Sequence, residues 1–190
     1  MKVTTGVLQK MRQDNDRITM LTCTDASFAA LLDAAGVDIF LVGDSLAMTI
    51  QGHDSTLPVT MEDMIYHTRI VARRTQRALV LGDMPFGSYQ QSTEKAYENA
   101  ARLMSAGAHM VKLEGGEIMA PQIEFLASRG IPVCGHIGLT PQSVHAIGGW
   151  KIQGTAEEAA RRLVVSGPAH QDTGTSPGWV QLVPRAVAEA

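Results

Sequence analysis

LVLGD, residues 79–83, is the clearest of four apolar runs that decide the fold; the others are LVGD (41–44), MVKLE (110–114) and PVCGH (132–136). Apolar side chains at consecutive positions are typical of a parallel strand that is buried on both faces. Each run also ends in an ionisable residue, and the rim of the sheet is the natural place for a charge at the end of a buried strand. Because ligands of α/β proteins bind at the carboxyl rim, the four runs predict a binding site there.

Strands and helices alternate along the whole chain, which predicts a parallel sheet with right-handed crossovers. Glycine at 36, 107, 130 and 174 separates a helical pattern from the next strand, as expected for left-handed residues after helix ends. The predicted strands lie near 18–23, 37–43, 78–83, 109–114, 131–135 and 179–183. The predicted helices lie near 4–13, 25–35, 60–75, 92–106, 117–129 and 155–165.

Both a doubly wound sheet and a (β/α)8 TIM barrel fit this alternation. The first strand is followed by TCTDASFAALL, which has no glycine-rich phosphate loop, so a dinucleotide site is disfavoured. Charged residues at several strand ends favour the barrel. About six βα units are visible, so we expect an incomplete barrel in one domain over 1–190. Gly167 and Pro168 oppose a helix interior, and residues 164–180 are expected to be irregular.

Composition limits the classes of partner. The 190 residues carry a net charge of −3 without a basic cluster, which argues against nucleic acid. The apolar runs are too short to span a bilayer, and the first residues lack the apolar core of a signal peptide, so a cytoplasmic location is expected. Cys23 and Cys134 lie in predicted strands and are interpreted as buried, reduced thiols.

The carboxylates of Asp44, Asp83 and Glu114 follow three successive strands. Oxygen ligands of this kind suit Mg²⁺, which binds one or two carboxylates and keeps waters or substrate oxygens. A single acid at a strand end is more often a solvated carboxylate or a helix cap. Acids at the ends of three consecutive strands favour a metal site formed by all three residues.

Three further residues are candidates for binding a substrate. Lys112 lies two residues before Glu114 and shares its face of the strand, where a buried lysine needs an anionic partner. His136 ends the fifth predicted strand and is either a structural residue or a hydrogen-bond donor to a substrate oxygen. Ser45 is either a cap or a donor to a substrate carboxylate.

Three longer stretches resemble the signature sequences of the ketopantoate hydroxymethyltransferase family, also called 3-methyl-2-oxobutanoate hydroxymethyltransferase. They are LVGDSLAMTIQGHDSTLPVTMEDMIYHT (41–68), MVKLEGGE (110–117) and PVCGHIGLTPQSVHAIGGWKIQG (132–154). The similarity extends over residues 1–163 and is weak beyond them. It implies a (β/α)8 barrel of the phosphoenolpyruvate/pyruvate superfamily and a homo-oligomer, a decamer in that family.

The resemblance implies transfer of a hydroxymethyl group from 5,10-methylenetetrahydrofolate to 3-methyl-2-oxobutanoate, giving 2-dehydropantoate for pantothenate synthesis through an Mg²⁺-stabilised enolate. By the matching motifs, Mg²⁺ would be bound by Asp44 and Asp83, with Glu114 in or near the metal shell. The 2-oxoacid would be held by Asp44, Ser45, Asp83 and Lys112, and His136 would line its pocket.

One position departs from the family pattern. The family places a proton-abstracting glutamate in its sixth strand, in a stretch like LECVP, where this chain has QLVP with Gln181. A neutral amide cannot serve as the general base, so no intact catalytic base is expected, and strands seven and eight are not visible either. The alternatives are an active transferase, a truncated relative that only binds Mg²⁺ and 2-oxoacid, a lyase or mutase of the same superfamily, and a non-enzymatic assembly subunit.

Overall fold

Six parallel strands lie side by side in chain order, from β1 at one edge to β6 at the other. The computed structural model describes residues 1–161, 163–164 and 175–188. An order without reversal is that of a barrel wall, whereas a doubly wound sheet reverses its order at a switch point. The strands are β1 (Met20–Thr22), β2 (Ile39–Val42), β3 (Leu79–Asp83), β4 (Met110–Glu114), β5 (Val133–Gly138) and β6 (Thr175–Gln181).

Helices follow the strands as the sequence predicts. They are α1 (Thr5–Gln13), α2 (Ala26–Ala34), α3 (Leu46–Thr49), α4 (Met61–Ala72), α5 (Thr93–Ser105) and α6 (Ala120–Ala127). Single 3-10 turns lie at Glu117–Met119 and Pro141–Ser143, helical residues at 157–161 and 163–164, and a short helix at Arg185–Ala188. The turn of helix α3 was not predicted. Gly36, Gly107 and Gly130 have φ of 85°, 111° and 82°, which confirms the predicted helix ends.

Alternate residues of each strand enter two separate apolar layers. Phe40, Val42 and Val80 pack in the layer shared with the helices. Their neighbours Leu41 and Leu81 point to the other face, where they form the inner cluster with residues of α1. Side chains alternate between the two faces of each strand, but the sequence shows no alternation of apolar and polar residues because both faces are apolar. The inner cluster contains Val3, Leu8, Ile39, Leu41, Leu79, Leu81, Met110 and Cys134.

The sixth strand begins four residues earlier than the sequence indicates. Residues 175–181 pair with β5, from Val133 opposite Thr175 to Gly138 opposite Gln181, so the expected irregularity of 164–180 is wrong for 175–180. Backbone pairing with β5 overrides the weak strand propensity of TSPG, and a register shift between Val133 and Gly135 absorbs the irregularity. Residues 165–174, including Gly167 and Pro168, lie outside the described residues.

Two further expectations concern thiols and membranes. Cys23 and Cys134 are free and buried, as predicted. Within the described parts of the chain, no helix combines the length and apolar character that crossing a bilayer requires.

Candidate active site

The inner face of the sheet brings the predicted site residues together at its carboxyl rim. Asp83, the last residue of β3, is in register with Lys112 on β4. Glu114, the last residue of β4, is in register with His136 on β5. All four side chains are buried. The period of two therefore places an acid, a base, an acid and an imidazole next to one another across three neighbouring strands.

Lys112 is the cation at the centre of this group. Its Nζ lies 2.8 Å from Asp83 Oδ1 and 3.6 Å from Glu114 Oε1. Burial alone would lower the pKa of Lys112, but the charges of Asp83, Glu114 and Asp44 outweigh it and raise that pKa. Lys112 is therefore a fixed positive charge at neutral pH, and it already has anionic protein partners.

Asp44 reaches the same point from the loop after β2. Its main-chain N–H donates to Asp83 Oδ2 over 3.2 Å, and its own Oδ2 accepts from Gln142 Nε2 over 2.9 Å. Burial raises the pKa of Asp44, although the charge of Lys112 opposes the shift. Burial likewise raises the pKa of Asp83 well above its usual value, with Lys112 again opposing. Both carboxylates are therefore costly to ionise without a further positive charge.

His136 forms a pair with Glu114. Its Nδ1 lies 3.0 Å from Glu114 Oε1, whereas its Nε2 is buried and has no hydrogen-bond partner among the described residues. Burial lowers the pKa of His136 despite this hydrogen bond. In the neutral ring Nδ1–H donates to the carboxylate, which leaves Nε2 as an acceptor. The ring edge meets Trp179, with centroids 6.4 Å apart.

The position of His136 in its strand also differs from the expectation. His136 is the fourth residue of β5 and does not end it, because pairing with β6 continues to Gly138. The imidazole therefore lies beside Glu114, the last residue of β4, and two residues before the end of β5. Burial would raise the pKa of Glu114, but the hydrogen bond from His136 and the charge of Lys112 outweigh it and lower that pKa.

Ser45 begins the short helix α3, directly after Asp44. Its side chain makes no capping hydrogen bond, so the interpretation of Ser45 as a helix cap is not supported. The residue is half-buried beside Asp44. A hydroxyl at this position can donate to a ligand at the rim.

Gln181 ends β6 on the same inner face. Its register partner is Gly138, and its Oε1 accepts a hydrogen bond of 3.4 Å from the indole N–H of Trp179. Trp179 in turn is in register with His136. The Gln181 amide, at the position of the expected base, therefore lies beside Gly138, two residues beyond His136. The indole of Trp179 holds this amide by a hydrogen bond.

Sequence reasoning missed Gln142 and Tyr89, which connect the carboxylates. The Gln142 main-chain N–H donates to Glu114 Oε2 over 3.0 Å, while its side chain donates to Asp44. The Tyr89 hydroxyl donates to Gln142 Oε1 over 2.7 Å and accepts from the main-chain N–H of Glu114 over 3.0 Å. Gln142 lies within the quoted stretch 132–154, but an uncharged residue in a loop gives no signal of burial.

The donor set fits a divalent cation. Three buried carboxyl groups, those of Asp44, Asp83 and Glu114, lie around one lysine, so ionising all three would leave more negative than positive charge in the site. Both oxygens of Glu114 are engaged by His136 and Gln142. Across residues 1–161, 163–164 and 175–188, no three Asp, Glu, His or Cys side chains form a ready ligand cluster. A Mg²⁺ ion would therefore be held by one or two carboxylates and would complete its shell with water or substrate.

The family of this chain follows from its similarity to known proteins. The model of the ketopantoate hydroxymethyltransferase family matches residues 2–190. This chain belongs to the ketopantoate hydroxymethyltransferase family. Its relatives are named as hydroxymethyltransferases, and its six parallel strands in chain order form an incomplete (β/α) barrel.

Relatives with a curated name agree over nearly the whole chain. The 3-methyl-2-oxobutanoate hydroxymethyltransferase of Azoarcus sp. (strain BH72) is 58% identical over 186 residues, covering 98% of this chain and 69% of the relative. The enzyme of the same name from Thiobacillus denitrificans (strain ATCC 25259 / T1) is 54% identical over 189 residues, covering 100% of this chain and 72% of the relative. The chain thus spans about seven tenths of these ketopantoate hydroxymethyltransferases.

Solved structures confirm the fold at low sequence identity. A 2,3-dimethylmalate lyase of the PEP mutase/isocitrate lyase superfamily aligns with a TM-score of 0.67 and 16% identity, over 99% of this chain and 65% of that one. A phosphonopyruvate hydrolase in complex with oxalate and Mg²⁺ gives 0.67 and 16%, over 94% and 63%. The chain therefore spans slightly less than two thirds of these barrels.

Proposed function

We propose that this ketopantoate hydroxymethyltransferase homologue binds 3-methyl-2-oxobutanoate together with Mg²⁺ at the carboxyl rim of the sheet. The reaction would join the methylene carbon of 5,10-methylenetetrahydrofolate to C3 of the 2-oxoacid in place of the C3 proton, and water would supply the hydroxyl of the new hydroxymethyl group as tetrahydrofolate and 2-dehydropantoate are released. The names of the relatives support the acceptor and the group transferred. A homo-oligomer, a decamer in the family, remains a prediction from the resemblance, and a cytoplasmic location remains a prediction from the sequence.

The observation that carries this proposal is the set of three buried carboxyl groups around a single lysine, Lys112. Asp44 and Asp83 are the proposed Mg²⁺ ligands, since both carboxylates are destabilised by burial and lie at the rim. Glu114 is proposed in or near the metal shell, as the motifs of the family imply, and it also holds His136 and Gln142. A metal-bound 2-oxoacid also suits the fold, since a hydrolase of this fold was crystallised with oxalate and Mg²⁺.

The remaining residues would orient the 2-oxoacid. Lys112 places a permanent positive charge beside the carboxylates and would attract the substrate carboxylate or its developing enolate oxygen. Ser45 offers an uncommitted hydroxyl next to Asp44. His136 would line the pocket, and its Nε2, which has no hydrogen-bond partner among the described residues, would accept a hydrogen bond from the product hydroxyl when the ring is neutral.

Proton removal from C3 is the step that this chain is least equipped to perform. Bound Mg²⁺ would withdraw electron density from the ketone and make the C3 proton more acidic. A base must still accept that proton, and Gln181 offers only an amide at the expected position. We propose that turnover is slow for this reason.

A second candidate function is favoured by the same residue. A chain that binds Mg²⁺ and 2-oxoacid without turning them over would retain Asp44, Asp83 and Lys112 and would tolerate Gln181. The two candidates share the binding site and differ only in the rate of C3 proton exchange.

Calorimetric titration with 3-methyl-2-oxobutanoate at saturating Mg²⁺ tests the shared binding site. We expect wild-type protein to bind the acid only with Mg²⁺ present and Asp83→Ala to lose that binding. Asp38→Ala is the matched control, because Asp38 is a buried aspartate at the amino end of β2 that pairs with Arg77. Equal affinity in wild type and Asp83→Ala would show that the site is assigned wrongly.

A further inference from the structure

Gln142 occupies the centre of the hydrogen-bond network beneath the proposed metal site. Its Nε2 donates to Asp44 Oδ2 and to the main-chain carbonyl of Met84, both over 2.9 Å. Its main-chain N–H donates to Glu114 Oε2 over 3.0 Å. One residue from the loop after β5 therefore contacts the ends of β2, β3 and β4.

The orientation of the Gln142 amide is fixed by its neighbours. Both partners of Nε2 are acceptors, a carboxylate oxygen and a carbonyl oxygen, so a flipped amide would set oxygen against oxygen twice. Its Oε1 accepts from the Tyr89 hydroxyl over 2.7 Å and from Gln90 Nε2 over 3.3 Å. All the hydrogen-bonding capacity of this buried amide is thus used in a single arrangement.

We propose that Gln142 is a positioning residue that sets the orientation of the Asp44 carboxylate for Mg²⁺. This inference rests on the proposed function, since it requires Asp44 to be a metal ligand. A donor held on Oδ2 prevents the carboxylate from rotating, which directs its remaining lone pairs towards the rim. Mg²⁺ tolerates little deviation from octahedral geometry, whereas Ca²⁺ accepts flexible shells, so the loss of this donor penalises Mg²⁺ more.

The test compares the Mg²⁺ and Ca²⁺ affinities of Gln142→Met by calorimetry in the absence of substrate. Methionine has a similar length and lacks the amide, while the main-chain contact to Glu114 is kept. We expect the Mg²⁺ dissociation constant to rise by about tenfold or more, the range for residues that orient metal ligands, and the Ca²⁺ constant to change much less. If Gln142 had a merely structural role, Gln142→Met would lower the affinities for Mg²⁺ and Ca²⁺ by the same factor, and that result would overturn the proposal.

Gln122→Met is the matched control, because Gln122 is a buried glutamine on helix α6 that makes no hydrogen bond to Asp44, Asp83 or Glu114 among the described residues. Its ratio of Mg²⁺ to Ca²⁺ affinity should equal that of wild type. If Gln142→Met does not fold, Tyr89→Phe removes the hydroxyl that fixes the amide and should shift the ratio in the same direction; an unchanged ratio would overturn the inference.

The same titrations distinguish the proposed Mg²⁺ site from the proposed role of Gln142. Wild-type protein without Mg²⁺ affinity, or with affinity that survives Asp83→Ala, would contradict the proposed function itself. Mg²⁺ affinity that is lost in Asp83→Ala but unchanged in Gln142→Met would contradict only the role of Gln142.

Discussion

Lys112 Nζ lies 2.8 Å from Asp83 Oδ1, and the two side chains are only 4% and 1% exposed. An ion pair at this depth has given up most of its hydration, so each charge depends on the other. Its place on the inner face, in register across β3 and β4, makes it the electrostatic centre of the site.

Lys112→Met should lower the free energy of unfolding by about 3–5 kcal/mol, because Asp83 and Glu114 would be left buried without their cation. Urea unfolding at pH 7 measures the effect. Lys95→Ala is the control, since Lys95 is paired with Glu98 on the surface and its loss should cost no more than about 0.5 kcal/mol. Similar costs for the two variants would contradict this view of the pair.

Mg²⁺ should stabilise the folded chain through Asp44. At a Mg²⁺ concentration 100 times the dissociation constant, the gain for wild type is about 2.7 kcal/mol in the free energy of unfolding. Asp44→Asn should lose most of this gain, as seen by thermal unfolding with and without the ion. Asp38→Asn should keep it, because Asp38 is equally buried but lies at the other end of β2. A gain that survives in Asp44→Asn would remove Asp44 from the proposed ligands.

His136 should make stability depend on pH. Its pKa is lowered by burial from an ordinary value of 6.5, so the folded state binds fewer protons than the unfolded state just below that pH. The contribution of His136 is therefore present above pH 6.5 and is lost as the pH falls through its folded pKa. His136→Gln should show a smaller loss of stability than wild type between pH 7.5 and 5.5.

Replacement of an exposed histidine provides the comparison for that experiment. His53→Gln removes a histidine without touching Glu114, and its pH profile should match that of wild type. Parallel profiles for wild type and His136→Gln would contradict the burial of a neutral imidazole at this position.

The strand ends were predictable because their signal is local. A buried run that stops at an acid can place that acid only at the rim, so Asp44, Asp83 and Glu114 were assigned to one site from the sequence. The fold followed from the same runs together with the alternation of strands and helices. Register was also accessible for Lys112, whose spacing of two from Glu114 fixes its face.

Other features depend on contacts between distant segments. The length of β5 is set by pairing with β6, and so the end of β5 was predicted at His136, two residues before its observed end at Gly138. Gln142 is 98 residues from its partner Asp44, and only the folded chain reveals that it is buried. The carboxylate of Glu114 decides which ring nitrogen of His136 carries the proton, and this carboxylate lies on another strand. No spacing rule within one strand indicates such a contact.

Gly138 should be essential for the approach of β5 to β6. Its φ is +93°, and a Cβ at this residue would collide with the main-chain carbonyl of Gln181. Gly138→Ala should therefore cost about 3 kcal/mol of unfolding free energy from strain and steric overlap together. Gly130 has a φ of +82°, but a Cβ added there would meet open space. Gly130→Ala should therefore lower the free energy of unfolding by only about 1 kcal/mol. Equal losses in urea unfolding would contradict the close approach.

The central claim is that the rim can bind and polarise the 2-oxoacid while Gln181 cannot take its proton. Deuterium exchange at C3 of 3-methyl-2-oxobutanoate, followed by NMR with Mg²⁺ present, measures that proton transfer directly. We expect slow exchange with wild type and exchange at least about 100-fold faster with Gln181→Glu, which supplies a carboxylate that Trp179 can still hold. Rapid exchange by wild type, or equal rates for the two proteins, would contradict the account.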